Sequence, residues 1–232
     1  MKPTTIIQDR KEVKAQNTIR KSLLICGIFS SLLWIGGDML AAILYEGYSY
    51  TSQSISELSA IGAPTRLLLI PLNTIYEVLL FTFGLGILAT GGRKRALRFT
   101  GILLIAHAIV ALVSTFFPMN SRGAEMTISD TMHIIFYSVI PLIILLIIGF
   151  GATANGKWFR LYSIGTILIL ILFGVLTGMS APRVAAGLPT PWMGIYERIN
   201  VYGYMLWVIV LAIILLRTEK GKSSIRKTVS LK

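Results

Sequence analysis

The sequence is short of charge, of cysteine and of histidine, and each shortage excludes something. Only 14% of its 232 residues are charged, ten of them acidic, against about a quarter in an ordinary soluble chain. With 54% hydrophobic residues and a mean hydropathy of +0.74, a water-soluble domain is excluded. The single cysteine, Cys26, rules out an intramolecular disulfide. Sitting in an apolar run, it reads as a small buried hydrophobe. Two histidines, His107 and His133, are few for a zinc site, and their different depths do not suit a pair of haem ligands. No metal site and no cofactor is assigned. The apolar runs also lack the two-residue alternation of barrel strands.

What the chain does have is six apolar stretches, each long enough to cross a hydrocarbon core of about 30 Å as a helix of about 20 residues. They run over Ser22–Leu44, Leu67–Thr90, Phe99–Phe117, Met132–Ala154, Phe159–Met179 and Tyr196–Leu216. The expected fold class is all-α, an integral membrane bundle of six transmembrane helices. A basic leader (1–21) precedes the bundle (22–216) and a basic tail (217–232) follows it. The leader has no Ala-x-Ala-like exit after the first run, so a retained anchor is expected rather than a cleaved signal.

Orientation follows from the bases. Of 22 Lys and Arg, eighteen lie in the two terminal segments and in the connections Gly91–Arg98 and Asn155–Arg160. Short basic loops stay in the cytoplasm, which puts both termini inside and predicts a multi-pass protein of the cell membrane. The net charge of +12 is thus topological, and the tail should be drawn to anionic membrane lipids. No nucleic-acid partner is expected. The two internal connections are tight turns, whereas the three external ones, Tyr45–Arg66, Pro118–Thr131 and Ser180–Ile195, are longer and more polar. Loops of that kind carry function more often.

Polar residues gather towards the external side. Glu77 lies about 16 Å into the second helix from outside and His107 about 13 Å into the third from inside, at 1.5 Å per residue. Both fall near mid-bilayer, where an ionisable group marks a functional hypothesis. They either lock two helices by a hydrogen bond or serve in proton relay, metal ligation or catalysis. Asn73 lies one turn outward of Glu77, with Gly84 two turns inward on the same face. Asp130 and His133 form a D-x-x-H pair that either begins the fourth helix as a cap or supplies two ligands. Ser54 and Glu57 have capping-box spacing, and Gly62 is a natural stop before Pro64. A short helix across the outer mouth is expected there. Ser56 or Ser59 is a conceivable nucleophile, without a G-x-S-x-G context.

Arg122 and Arg198 are candidate partners for anions or phosphate, and Arg198 is also a candidate partner for Asp38 or Glu57. Pro118 ends the third helix and Pro141 kinks the fourth. The tryptophans, Trp34, Trp158, Trp192 and Trp207, read mostly as interface anchors. Gly174 and Gly178 make a small-xxx-small face on the fifth helix, for close packing in the bundle or for a homodimer.

The stretch Ile55-Ser56-Glu57-Leu58-Ser59-Ala60-Ile61-Gly62-Ala63-Pro64, the Phe117-Pro118 stop followed by His133, and Gly194-Ile195-Tyr196-Glu197-Arg198 resemble the multi-pass membrane family catalogued as domain of unknown function 998. The resemblance runs from about Ser22 to Leu216 and implies no activity, cofactor or site. The serine-rich first loop is also similar to that of the damage-regulated autophagy modulator and Frag1 type of six-helix protein, some of whose relatives act in lipid-anchor remodelling.

The leading expectation is an outward-opening polar pocket for a small molecule or lipid headgroup, lined or gated by Asp38, Glu57, Glu77, His107, Arg122, His133, Glu197 and Arg198. A lipid-directed hydrolase or transferase with His107 or His133 as base is the alternative. Further alternatives are a proton-coupled transporter centred on Glu77 and His107, and a non-catalytic assembly subunit docking through Gly174 and Gly178.

Overall fold

A computed structural model describes residues 3–90 and 94–229. Residues 91–93, the middle of the turn expected after the second helix, lie outside the described residues, as do 1–2 and 230–232 at the ends of the leader and tail. The described residues form six long helices: α1 (Pro3–Leu44), α2 (Arg66–Thr90), α3 (Arg95–Ser114), α4 (Ile128–Gly151), α5 (Gly156–Ala185) and α6 (Met193–Val229). One short 3-10 helix, Ile55–Ser59, joins them, and no strand occurs among the described residues. All six long helices contain a stretch apolar and long enough to span a membrane. The chain is a six-span membrane bundle.

The spans sit close to the apolar runs, with instructive differences at the ends. Helix α1 continues back through the basic leader to Pro3 and α6 continues forward through most of the tail, because neither segment holds a strong breaker. Helix α3 stops at Ser114, three residues short of Phe117, since Pro118 disfavours helical geometry in the residue before it. Helix α5 runs on to Ala185 and takes Pro182 within it. Pro71 and Pro141 also lie inside helices, in α2 and α4, each removing one helical hydrogen bond.

Neighbours along the chain pack side by side, and α6 returns to close on α1; α4 and α5 meet least. The core centres on Leu24, Leu80, Phe83, Ile87, Leu104, Trp207 and Leu211, all fully buried. Trp207 corrects the interface-anchor expectation. Its ring stacks on Phe159 and its Nε1 donates to Ser163 Oγ at 2.9 Å, so it is a core residue with its one polar atom satisfied. Trp158 and Trp192, near helix ends, are exposed.

Close approach of α2 to α3 depends on small residues. A Cβ on Gly84 would stand 2.9 Å from the Gly101 carbonyl and 2.8 Å from Ile105 Cγ1. The Gly174 and Gly178 face is divided. A Cβ on Gly174 would stand 2.9 Å from the Asn200 amide of α6, whereas one on Gly178 would meet nothing within 4 Å.

Candidate functional site

The three long connections meet at one end of the bundle and are stitched into a single cap. Ser54 begins it with the expected capping box. Its backbone N–H donates to Glu57 Oε2 at 2.7 Å and its hydroxyl to the same oxygen at 3.0 Å, fixing Ile55–Ser59 as a lid. The lid is held on every side. Ile61 N–H donates to Met119 O at 2.9 Å, Thr65 Oγ1 to Leu58 O at 2.6 Å and Arg66 to Ser59 O at 2.7 Å. From the third connection, Thr190 Oγ1 donates to Ser52 O at 2.7 Å.

Two ion pairs lock this cap, one partly and one fully buried, and both use Arg in a two-pronged grip. Arg122 Nε and Nη2 donate to Glu57 Oε1 and Oε2 at 2.9 and 2.8 Å, and its Nη1 donates to Leu188 O at 2.9 Å. All three connections are thereby tied through one side chain. Burial alone would raise the Glu57 carboxyl, but Arg122, the Ser54 N–H and Gln53 outweigh it and hold the pKa below its ordinary value.

Arg198 Nε and Nη2 donate to Asp38 Oδ2 and Oδ1 at 2.9 and 3.0 Å, with side chains 3% and 1% exposed. Three tyrosines complete that pair. Tyr202 donates to Asp38 Oδ2 at 2.6 Å, Arg198 donates to the Tyr48 hydroxyl at 2.9 Å, and the guanidinium lies 3.6 Å from the Tyr50 ring centroid. Burial pushes the Tyr48 hydroxyl above its ordinary range, against the pull of Arg198. Neither arginine is an open anion site as expected from sequence, because Glu57 and Asp38 already occupy both forks.

The D-x-x-H pair is a clasp. Thr127 caps α4 with Asp130 at the third position, the Thr127 N–H donating to Asp130 Oδ2 at 2.8 Å. Asn120 reaches Asp130 with its backbone N–H at 2.7 Å and its side-chain amide at 2.6 Å. One turn on, His133 Nδ1 bonds Phe117 O at 3.1 Å and Nε2 lies 3.3 Å from Ser56 Oγ. The metal alternative loses its geometry, since the two side chains are engaged with different partners. Among the described residues no group of three His, Cys, Asp or Glu is placed to hold a metal ion.

Beneath the lid lies a cavity of about 70 Å³, walled by Trp34 and Asp38 of α1, Ser56 and Ser59 of the lid, Asn73 of α2, Tyr137 of α4 and Glu197 of α6, among others. Of the expected pocket residues, Asp38 and Glu197 line it directly. His133 reaches it through Ser56, while Glu57, Arg122 and Arg198 build its frame. Glu197 Oε2 accepts the Ile55 N–H at 2.6 Å. Among the described residues, no Lys, Arg or His makes an ion pair with Glu197.

Glu77 and His107 are deeper and are buried, at 7% and 3% exposure. No hydrogen bond joins them. Glu77 Oε2, His107 Nδ1 and Tyr204 Oη are buried without a partner among the described residues, and the His107 and Tyr204 rings lie 5.6 Å apart. The expected helix lock is therefore not formed. Tyr204 completes this deep polar group; as one more aromatic in an apolar run it carried no sequence signal. Two of the three tyrosines around Arg198 did have one: Tyr48 and Tyr50, with Tyr45, crowd the start of the first long connection.

The protein-family comparison gives one match, the family described as protein of unknown function (DUF998), over residues 28–214. The chain belongs to this family. That range takes in the four middle spans and most of the first and last, with the lid and every residue of the cavity wall. No curated protein and no solved structure matches, so the DUF998 assignment brings a family without an activity. The similarity of the first loop to the Frag1 type gains no support from these matches.

Proposed function

We propose that the lid-capped cavity faces the extracytosolic side and receives the small, ammonium-bearing headgroup of a membrane lipid. The observation that carries this is the cavity wall. A Glu197 carboxyl without an ion-pair partner among the described residues stands there with the Trp34 and Tyr137 rings, the Ser56 and Ser59 hydroxyls and the Asn73 amide. Aromatic faces and a carboxyl oxygen together favour a cation, and the polar side chains supply hydrogen bonds for orientation. At about 70 Å³ the cavity is well below the roughly 300–1,000 Å³ of sites for drug-sized ligands. It suits one headgroup moiety.

Support for the orientation is the placement of eighteen of the 22 bases at the terminal and tight-turn end. In Glu125→Cys, at the exposed tip of the second long connection, a membrane-impermeant maleimide added outside intact cells should react. Lys157→Cys, in the first turn of α5, should react only after permeabilisation. The reverse pattern would turn the cavity to the cytoplasm.

The headgroup itself is tested by binding. Native mass spectrometry of the detergent-purified protein should retain short-chain phosphatidylethanolamine over phosphatidylglycerol, and Glu197→Gln should remove that preference. Equal retention of both lipids by the wild type would reject the headgroup assignment.

A further inference from the structure

We propose that Ser56 and His133 are a nucleophile and its base, acting on an oxygen ester of the lipid whose headgroup the cavity holds. The proposal rests on the pocket assignment above for its substrate class, and on separate geometry for its chemistry. His133 Nδ1 lies 3.1 Å from the Phe117 carbonyl oxygen. A carbonyl can only accept, so Nδ1 carries the proton and Nε2 is left with a free lone pair. That lone pair faces the Ser56 hydroxyl at 3.3 Å, a loose contact of the kind seen before substrate tightens a catalytic pair.

The ring is held in this pose from both sides. Tyr137 stacks on it at 4.2 Å between centroids. The segment carrying Phe117 is pinned to α4 by Asn120 on Asp130 and by Ser129 Oγ on Pro118 O at 2.7 Å. A nucleophile, a base and a group that fixes the base's tautomer are the three parts such chemistry needs. Ser56 also lines the cavity, as does Asn73, whose side-chain amide makes no hydrogen bond to the described residues and is the donor available to a developing oxyanion.

Ser56 Oγ attacks the ester carbonyl carbon as its proton passes to His133 Nε2. The tetrahedral intermediate collapses, breaking the bond to the alcohol oxygen, which leaves with the proton from Nε2. The acyl group now rests on Ser56. Water, or a second alcohol, then attacks the acyl carbon and gives its proton to Nε2. Oγ departs and recovers that proton, so the pair is regenerated with no redox partner. Water gives hydrolysis and an alcohol gives acyl transfer.

The test is labelling of the full-length, detergent-purified protein with a fluorophosphonate, mapped by mass spectrometry. An adduct is expected on Ser56, absent in Ser56→Ala and unaffected by Ser121→Ala, at an exposed serine outside the cavity wall. His133→Gln should slow it by about a hundredfold or more, the usual contribution of a general base. The wild-type rate should rise with pH along a single proton loss, a readout that needs no folded variant. A rate independent of pH, or equal labelling of Ser56 in a folded His133→Gln protein, would overturn the pair. An unlabelled Ser56 in protein that still prefers phosphatidylethanolamine overturns the pair and leaves the pocket. A labelled Ser56 in protein without that preference supports the pair and rejects the headgroup.

Discussion

Arg122 holds both carboxylate oxygens of Glu57, 65 residues earlier in the chain, at 2.9 and 2.8 Å. The cap is thereby closed by one ion pair between the first and second long connections. Removing Arg122 leaves a carboxylate that is 5% exposed without its counterion. Arg122→Ala should lose about 3 kcal/mol, the lower end for breaking a buried pair because Arg122 is itself 20% exposed. The folded Glu57 pKa is depressed, so its contribution is present above the unfolded value and lost as pH falls through the folded one. Thermal unfolding from pH 7 downward should show the wild type losing more stability on acidification than Glu57→Gln. Parallel curves would remove Glu57 from the cap's stability.

Arg198→Lys should be nearly as damaging as Arg198→Ala. A lysine keeps the charge but loses the two-pronged grip on Asp38 and the flat stacking on Tyr50. For the alanine variant the expected loss is about 3–5 kcal/mol, read as the unfolding midpoint in detergent. A lysine variant as stable as wild type would show that charge alone suffices.

Gly194→Ala should loosen the cap while leaving the spans intact. At the first turn of α6 an added Cβ would collide with the Tyr50 and Gln53 carbonyl oxygens, which are backbone and cannot turn aside. Hydrogen exchange should accelerate in residues 48–57, with little change in α2 and α3. Unchanged exchange would mean that the connection shifts freely.

Glu77→Met should stabilise the fold. The carboxyl oxygen Oε2 is buried without a partner among the described residues, and removing such a group relieves a desolvation cost of about 1–3 kcal/mol. A raised unfolding midpoint together with weaker lipid retention would mark Glu77 as a residue kept at the expense of stability. A lowered midpoint would make it structural.

Six spans and the capping box at Ser54 were legible, because each depends on local composition or on spacing within one turn; the stops expected at Gly62 and Pro118 overshoot the observed helix ends at Ser59 and Ser114. The Arg198–Asp38 pair was partly legible: two lone charges on apolar helices need partners, and few were available. Pairing of Glu57 with Arg122 was not, because it depends on how two loops fold over each other. For the same reason His133 looked like half of a metal pair with Asp130. Spacing placed both on one face of α4, but only the fold turns one to Asn120 and the other to Phe117 and Ser56. Depth along a helix put Glu77 and His107 near one level, yet no hydrogen bond joins them and atoms of both are buried without a partner among the described residues.

The most direct test of the lid-capped cavity is to replace Asn73, on its wall, with a photoreactive phenylalanine and irradiate native membranes. The account expects a covalent adduct with a phospholipid carrying an amine headgroup. The same replacement at Leu67, which is 84% exposed on the bundle surface, should capture lipids without headgroup preference. An Asn73 position that captures no lipid, or the same mixture as Leu67, would contradict a headgroup pocket beneath Ser56 and Ser59.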